Sequence, residues 1–409
     1  VTTTRTSRST ALTSTLDQVM SSASNGLIVL AVARVATVNE FGAASLLFAI
    51  SAAAMGCARG SLGTPLMLMA GDTDDEIRSA ASRALSSALL FGLIVSGGAV
   101  ATGILLGEAT IGYAFAVAIP FILATDALRY SVITAARPHL ALTWDTVWTV
   151  GSFVMLLVTW QSKHLFGPAT AVLVWALLAA VCAIGLAFAF HTKPRVNGLF
   201  AWWKEEYLHR LRYGIEAGLE QVNVIIVVSI ATAAIGMSAA AALRGSSTVL
   251  APFAILMSAL PLVIVPESVR AGLSPEQVWR KLCNIGVLAS VTLLVFGLAL
   301  WLAPPSIGSL VLGDSWDAAR NVMPIIAIEY VGAAWLLVVA SFLKSQGKSS
   351  ELLGARLAYC ITSITLCSAI AFLSREAVGV AVGLAISSLS MSIAVIYRIR
   401  PGSGRHRGR

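Results

Sequence analysis

The chain has 409 residues, of which 57% are hydrophobic and only 12% charged, and its mean hydropathy is +0.84. A soluble domain carries about twice that charge fraction, so this composition leaves too little polar surface for a soluble exterior and excludes a soluble globular protein. The formal net charge of +8 would suggest nucleic acid in a soluble protein; here the position of the charges decides its meaning.

Apolar runs of about 20 residues, the length that crosses ~30 Å of hydrocarbon, recur along the whole chain. They fall at 14–37, 41–64, 83–107, 111–134, 140–161, 167–190, 212–237, 242–265, 281–303, 319–343, 352–373 and 377–398. No alternation of period two persists, which excludes a β-barrel, and the Gly and Ala content of the runs suits close helix packing in lipid. The predicted fold class is an all-α polytopic membrane protein with about 12 transmembrane helices. The first ten residues are polar and lack the apolar region of a cleavable signal, so the first span is expected to remain.

The first span opens with Leu16-Asp17-Gln18-Val19 and the seventh with Leu219-Glu220-Gln221-Val222, an offset that also maps Gly42 onto Gly245. The turn Ala136-Arg137-Pro138-His139 after the fourth span resembles Gln346-Gly347-Lys348-Ser349 after the tenth. Six spans per copy is an even number, so both copies enter from the same side and the repeat is parallel. The predicted organisation is an N-terminal six-helix lobe at 1–190, a linker at 191–211, a C-terminal six-helix lobe at 212–398 and a basic tail at 399–409. The linker mixes Trp202, Trp203 and Tyr207 with Lys193, Arg195, Lys204 and Arg210, and reads as an amphipathic cytoplasmic helix in the headgroup region.

With the amino terminus in the cytoplasm, the inner loops and tails hold all of the 28 Lys and Arg except Arg34, Lys163, Arg244, Arg320 and Arg375. The positive-inside rule therefore places both termini in the cytoplasm, and the tail Arg398, Arg400, Arg405, Arg407 and Arg409 reads as a topology anchor at anionic headgroups. Cys57, Cys182, Cys283, Cys360 and Cys367 lie in or beside spans, so no disulfide framework is indicated. Cys360 and Cys367 share one helical face and read as packing residues.

Seven ionisable residues fall within predicted spans: Asp17, Asp126, Arg129, Asp145, Glu216, Glu220 and Glu329. A centred charge costs about 2.5–3.5 kcal/mol on insertion scales, so each must be shallow, neutral, paired or in contact with water. Asp17, Asn25 and the serines between them form one polar stripe, and Glu216, Glu220 and Asn223 form another at i, i+4, i+7. Asp17 and Glu220 are read as walls of a wet cavity open to the cytoplasm; for Glu216 the alternatives of cavity, helix cap and arginine partner stay open. Asp126 and Arg129, at i, i+3, can neutralise one another, and Asp145 on the next span can reach the same Arg. Glu329 lies near mid-membrane. Arg34, Arg59 and Arg244, near span ends, either snorkel to headgroups or hold an anionic head group.

Signals for catalysis are weak. Gly347-Lys348-Ser349 imitates the end of a P-loop, but Phe342 stands where its first glycine belongs. His139, His164, His191, His209 and His406 lack zinc spacing, and Asp72-Thr73-Asp74-Asp75-Glu76 reads as helix capping rather than a metal site. No catalytic residues, metal or cofactor are expected, and the chain reads as a transporter rather than an enzyme.

Asn39-Glu40-Phe41-Gly42, the basic turns near Arg137 and Lys348, and Leu312-Gly313-Asp314-Ser315-Trp316-Asp317-Ala318-Ala319 resemble the polysaccharide flippase family (O-antigen and teichoic-acid type). That family belongs to the multidrug/oligosaccharidyl-lipid/polysaccharide (MOP) transporter superfamily. The resemblance implies two six-helix lobes in a V shape around a central cavity. It also implies a cargo, a polyprenyl-diphosphate-linked oligosaccharide for cell-envelope polysaccharide, moved by alternating access from inner to outer leaflet of a bacterial cytoplasmic membrane. Implied partners are that lipid-linked oligosaccharide, membrane lipids, a polysaccharide polymerase and glycosyltransferases, with no nucleic acid. Such cavities are commonly basic, whereas the inner stripe here is acidic, so Asp17, Glu220 and Glu329 are candidates for H+ or Na+ coupling. A cation-coupled multidrug exporter of the same superfamily, a membrane glycosyltransferase or polymerase, and an assembly scaffold are the competing readings.

Overall fold

The computed structural model describes residues 2–161, 166–304, 306 and 316–399. Lys163, the segment 312–315 of the Leu312–Ala319 motif, the tail from Arg400 and the side chain of Arg244 lie outside the described residues. Among those described there is no strand, and 12 helices are long and apolar enough to cross a membrane.

In chain order the helices are α1 (Thr2–Val35), α2 (Val38–Ala58), a π-turn (Arg59–Gly63), α3 (Thr64–Leu68), α4 (Asp74–Leu105), α5 (Ala109–Thr134), α6 (Pro138–Gln161), α7 (Pro168–Ala189) and α8 (Leu199–Glu205). There follow α9 (Tyr207–Ile235), α10 (Met237–Ser258), α11 (Leu260–Arg270), α12 (Pro275–Leu302), α13 (Trp316–Ser345), α14 (Ser349–Ser374) and α15 (Ala377–Ile399). The third span starts nine residues before its apolar run because Thr73 and Glu76 close a reciprocal capping box there. Thr37 and Glu40 do the same for α2, so the Asn39–Gly42 motif is a helix start. In the second span Pro65 would clash with the carbonyl four residues back, and the turn before it widens to a π-turn that carries Arg59.

The chain divides into two compact units, one made of Val1–Gln221 with Val265–Ala271 and the other of Val222–Ile264 with Gly272–Arg409. In the first unit α5 is central, packing on α4, α7 and α2, while α1 lies along α6. In the second, α13 is central and packs on α12, α15 and α10. The fourth span of each copy thus contacts the third, sixth and second, as a parallel repeat requires. In the first unit the first span also packs along the fifth, α1 on α6.

Proline and glycine make the central helix of the first unit possible. Pro120 within α5 leaves the Ala116 carbonyl without its helical donor, and Ser96 Oγ of α4 supplies one at 2.6 Å. Gly92 admits the proline, since a Cβ there would lie 2.5 Å from Pro120 Cα. Toward the same end Phe48 stacks edge-on with Phe115 and Trp175, with centroids 4.7 and 5.7 Å apart.

The linker departs from its expected form. It is not one amphipathic helix but the short α8, a break at Glu206, and α9. Its tryptophans face the protein: Trp203 Nε1 donates to Ser87 Oγ of α4 at 2.9 Å, and the Arg210 guanidinium lies 3.6 Å from the centroid of the buried Trp202. Phe200 carries the exposed face.

The two turns matched between copies share one backbone form, shifted by one residue from the sequence pairing. Ala136 (φ 56°) and Gly347 (φ 68°) are left-handed, and the next amides, of Arg137 and Lys348, bond back to Val132 and Leu343. Left-handed backbone costs an L-residue about 1 kcal/mol. Ala136→Gly should therefore raise the thermal midpoint of the purified protein and Gly347→Ala should lower it by a similar amount; equal midpoints for the two variants would show that the turns are not equivalent.

Candidate functional site

The first unit contains a buried constellation of five charges. Arg129 on α5 has a side chain only 2% exposed and sits among Asp17 of α1, Asp126 of its own helix and Asp145 of α6. Its Nη2 and Nε donate to Asp17 Oδ2 at 2.8 and 3.0 Å, and Nη1 donates to Asp126 Oδ1 at 3.2 Å. Nη2 also donates to Gln18 Oε1 at 3.0 Å and Nη1 to Ser21 Oγ at 3.2 Å. Asp145 Oδ2 lies 3.0 Å from Nε. Arg59, on the π-turn, meets Asp126 through a two-pronged contact, Nε to Oδ2 and Nη2 to Oδ1, both 2.9 Å, the strongest geometry an Arg and a carboxylate can adopt.

Why these side chains meet follows from the helices that bear them. Arg129 and Asp126 are one turn apart on the most buried span, and Asp17, Gln18 and Ser21 are turned toward them on α1. Thr149 Oγ1 of α6 donates to the Met20 carbonyl at 2.7 Å, which fixes α6 against α1 where Asp145 enters. Three carboxylates face two guanidinium groups, so the constellation carries one uncompensated negative charge if every acid is ionised. Asp17 Oδ1 and both oxygens of Asp145 are buried and accept no hydrogen bond within the unit, and the Asp17 and Asp145 carboxyls adjoin one another. A surplus carboxylate in that position calls for a proton or a small cation. The Arg59 side chain, 27% exposed, is the accessible member; Asp126 is 6% exposed and Asp17 and Asp145 are fully buried.

The remaining candidate residues are dispersed. Asp17, read as a cavity wall, is instead enclosed with Ser21 and Ser24 inside the unit, because Arg129 requires a second carboxylate. Asn25 Nδ2 donates to the Ser21 carbonyl. The Arg34 guanidinium lies 3.8 Å from the centroid of Trp160 on α6. Glu216 is fully buried and Glu220 partly so, and Asn223 Oδ1 is buried without a donor. Asp17 precedes Val35, the end of α1, by 18 residues, and Glu216 precedes Ile235, the end of α9, by 19. By distance from the helix end Glu216 stands within one residue of the position of Asp17, and Glu220 within three. In the second unit Glu329 is partly buried, with Tyr330 and Tyr359 close enough to feel its charge, and Ser388 Oγ donates to its backbone carbonyl at 3.2 Å. No ion pair to Glu329 occurs among the described residues. Sequence reasoning missed Gln18 as a ligand of Arg129 and missed the Arg59–Asp126 pair.

No protein-family profile matches the sequence, and no curated protein matches it. Solved structures do. A MOP superfamily transporter from Pyrococcus furiosus, described as having a binding pocket of reversed polarity that suggests a different function, superposes with a TM-score of 0.75 at 13% identity, over 96% of this chain and 94% of that one. The outward-facing conformation of a multidrug resistance MATE family transporter of the MOP superfamily gives the same values. A MATE transporter in its straight conformation gives a TM-score of 0.76 at 14% identity, over 96% and 94%. The chain therefore has the fold of these transporters.

Arg129→Leu should be strongly destabilising, because it strands Asp17 and Asp145 in an apolar interior; the expected cost is about 3–5 kcal/mol, read as a fall in the denaturation midpoint in detergent. Changing Asp17 and Asp145 to Leu alongside it should recover most of the loss. A single variant as stable as the parent protein would contradict the ionic assignment.

Proposed function

We propose that this chain is a proton-linked flippase that carries a polyprenyl-diphosphate-linked oligosaccharide from the inner to the outer leaflet of a bacterial cytoplasmic membrane, with both termini in the cytoplasm. The observation that carries this reading is the asymmetry of the five-charge constellation: its carboxylates are enclosed, and the one member that reaches the surface is a guanidinium. A guanidinium fork suits diphosphate oxygens, and the sugar and diphosphate require a polar route because their transfer through hydrocarbon is prohibitive. The polyprenyl tail stays in lipid.

The charges link cargo to proton. Arg59 can turn to a phosphate only by loosening its hold on Asp126, which then depends on Arg129 alone. A proton shared by Asp17 and Asp145 reduces their demand on Arg129 and so leaves it free to hold Asp126. Anion binding and protonation thus favour one another. The polysaccharide polymerase and glycosyltransferases implied by the sequence resemblance would consume and supply the cargo.

A cation-coupled multidrug exporter is the second reading, favoured by Glu329, whose carboxylate lacks an ion-pair partner among the described residues and has tyrosines nearby. The likeness to a multidrug resistance MATE transporter is compatible with it.

Mass spectrometry of polyprenyl-linked sugars in a deletion strain, with leaflets distinguished by an impermeant reagent, separates the two. The flippase reading predicts a completed oligosaccharide accumulating on the inner leaflet, corrected by the parent gene and by Arg59→Lys in part, but not by Arg59→Gln. An unchanged lipid-sugar pool together with lost efflux of a cationic dye would establish the exporter instead.

A further inference from the structure

One cation of the first unit has no role in the constellation above. Arg83 lies within α4, one turn before Ser87, and its Nε is buried and donates to no acceptor. Among the described residues its guanidinium makes no ion pair, whereas Arg78 on the same helix is held by Asp74 and Asp75. An unmatched guanidinium at the edge of the hydrocarbon calls for an anion.

The linker forms a second wall beside it. The Arg195 backbone N–H donates to the Ser82 carbonyl at 3.2 Å, which sets the Arg195 backbone against α4 at the residue before Arg83. One turn further along α4, Trp203 is bonded to Ser87, so the linker is tied to α4 on both sides of Arg83. Arg195 is exposed, as are Lys193 and Lys204. Val196 and Phe200 project with 66% and 83% of their surface exposed, and Phe200 and Lys204 share one face of α8 at i, i+4. Apolar side chains beside cations, at a helix end that borders the membrane, match the two parts of a phospholipid. The nearby lysines favour a headgroup with net negative charge over a zwitterionic one.

We propose that Arg83 and Arg195 form a binding site for the phosphate of an anionic phospholipid in the leaflet on the linker side, with Val196 and Phe200 against its acyl chains. The site uses none of the residues assigned to cargo or proton, and it stands whichever cargo the transporter carries. Its occupancy secures the linker to α4 and makes linker docking depend on membrane composition.

The test is native mass spectrometry of the full-length protein, delipidated in detergent and titrated with phosphatidylglycerol or phosphatidylcholine. The expected result is one phosphatidylglycerol retained at about tenfold lower concentration than phosphatidylcholine, with that preference lost in Arg83→Gln/Arg195→Gln. Arg195→Gln alone, at an exposed position that the fold does not need, should weaken phosphatidylglycerol retention several-fold. Equal retention of the two lipids by the parent protein, or unchanged retention in Arg195→Gln, would overturn the proposal. Displacement of phosphatidylglycerol by equimolar inorganic pyrophosphate would also overturn it, by showing a site for a free anion rather than for a lipid.

Discussion

The first unit is organised around the need to neutralise Arg129 inside an apolar bundle. A guanidinium that is 2% exposed cannot stand in hydrocarbon without carboxylates, and one turn of α5 supplies only Asp126. The other partners must come from separate helices, so Asp17 draws α1 toward α5 and Asp145 draws in α6. Asp126, shared with Arg59, ties the π-turn after α2 to the same point. Four spans thus meet at one charge. Buried ion pairs add little net stability compared with apolar residues of the same shape; what this one provides is a unique arrangement of helices and a surplus negative charge.

The second unit repeats the packing order without that constellation. Its central helix, α13, contacts the same three counterparts as α5 does, yet its intramembrane acid, Glu329, has no arginine among the described residues. The copies have therefore kept a common helical framework while diverging in where charge is buried. In the first copy the first and fifth spans are joined by Arg129 through Asp17 and Asp145 and by the bond from Thr149 to Met20.

Much of the fold was legible because lipid imposes a simple rule on the chain. Spans must be long and apolar, and twelve such runs are read directly; the ends were less secure, as α4 shows, where a polar first turn held by Thr73 and Glu76 lies outside any apolar window. The Asp126–Arg129–Asp145 group was legible because two members share a helix face and the third lies on the next span. Asp17 was not, since its partner is 112 residues away, and the same polar stripe can face either water or a buried arginine. Arg59 was hidden for a related reason: a position near a span end suggests snorkelling, and only the widened turn before Pro65 directs it at Asp126. The contacts of Trp202 with Arg210 and of Trp203 with Ser87 were not legible, because composition cannot show which side chains of the linker turn toward the protein.

The proposed proton linkage requires that the surplus negative charge beside Asp17 and Asp145 be neutralised by a proton. Infrared spectroscopy of the reconstituted protein at neutral pH in sodium-free buffer tests it directly, through the C=O stretch of a protonated carboxyl group. The predicted result is an acid band that persists in Glu329→Gln and disappears when Asp17 and Asp145 are both changed to Asn. A spectrum in which that double substitution removes only ionised carboxylate signal would contradict the claim.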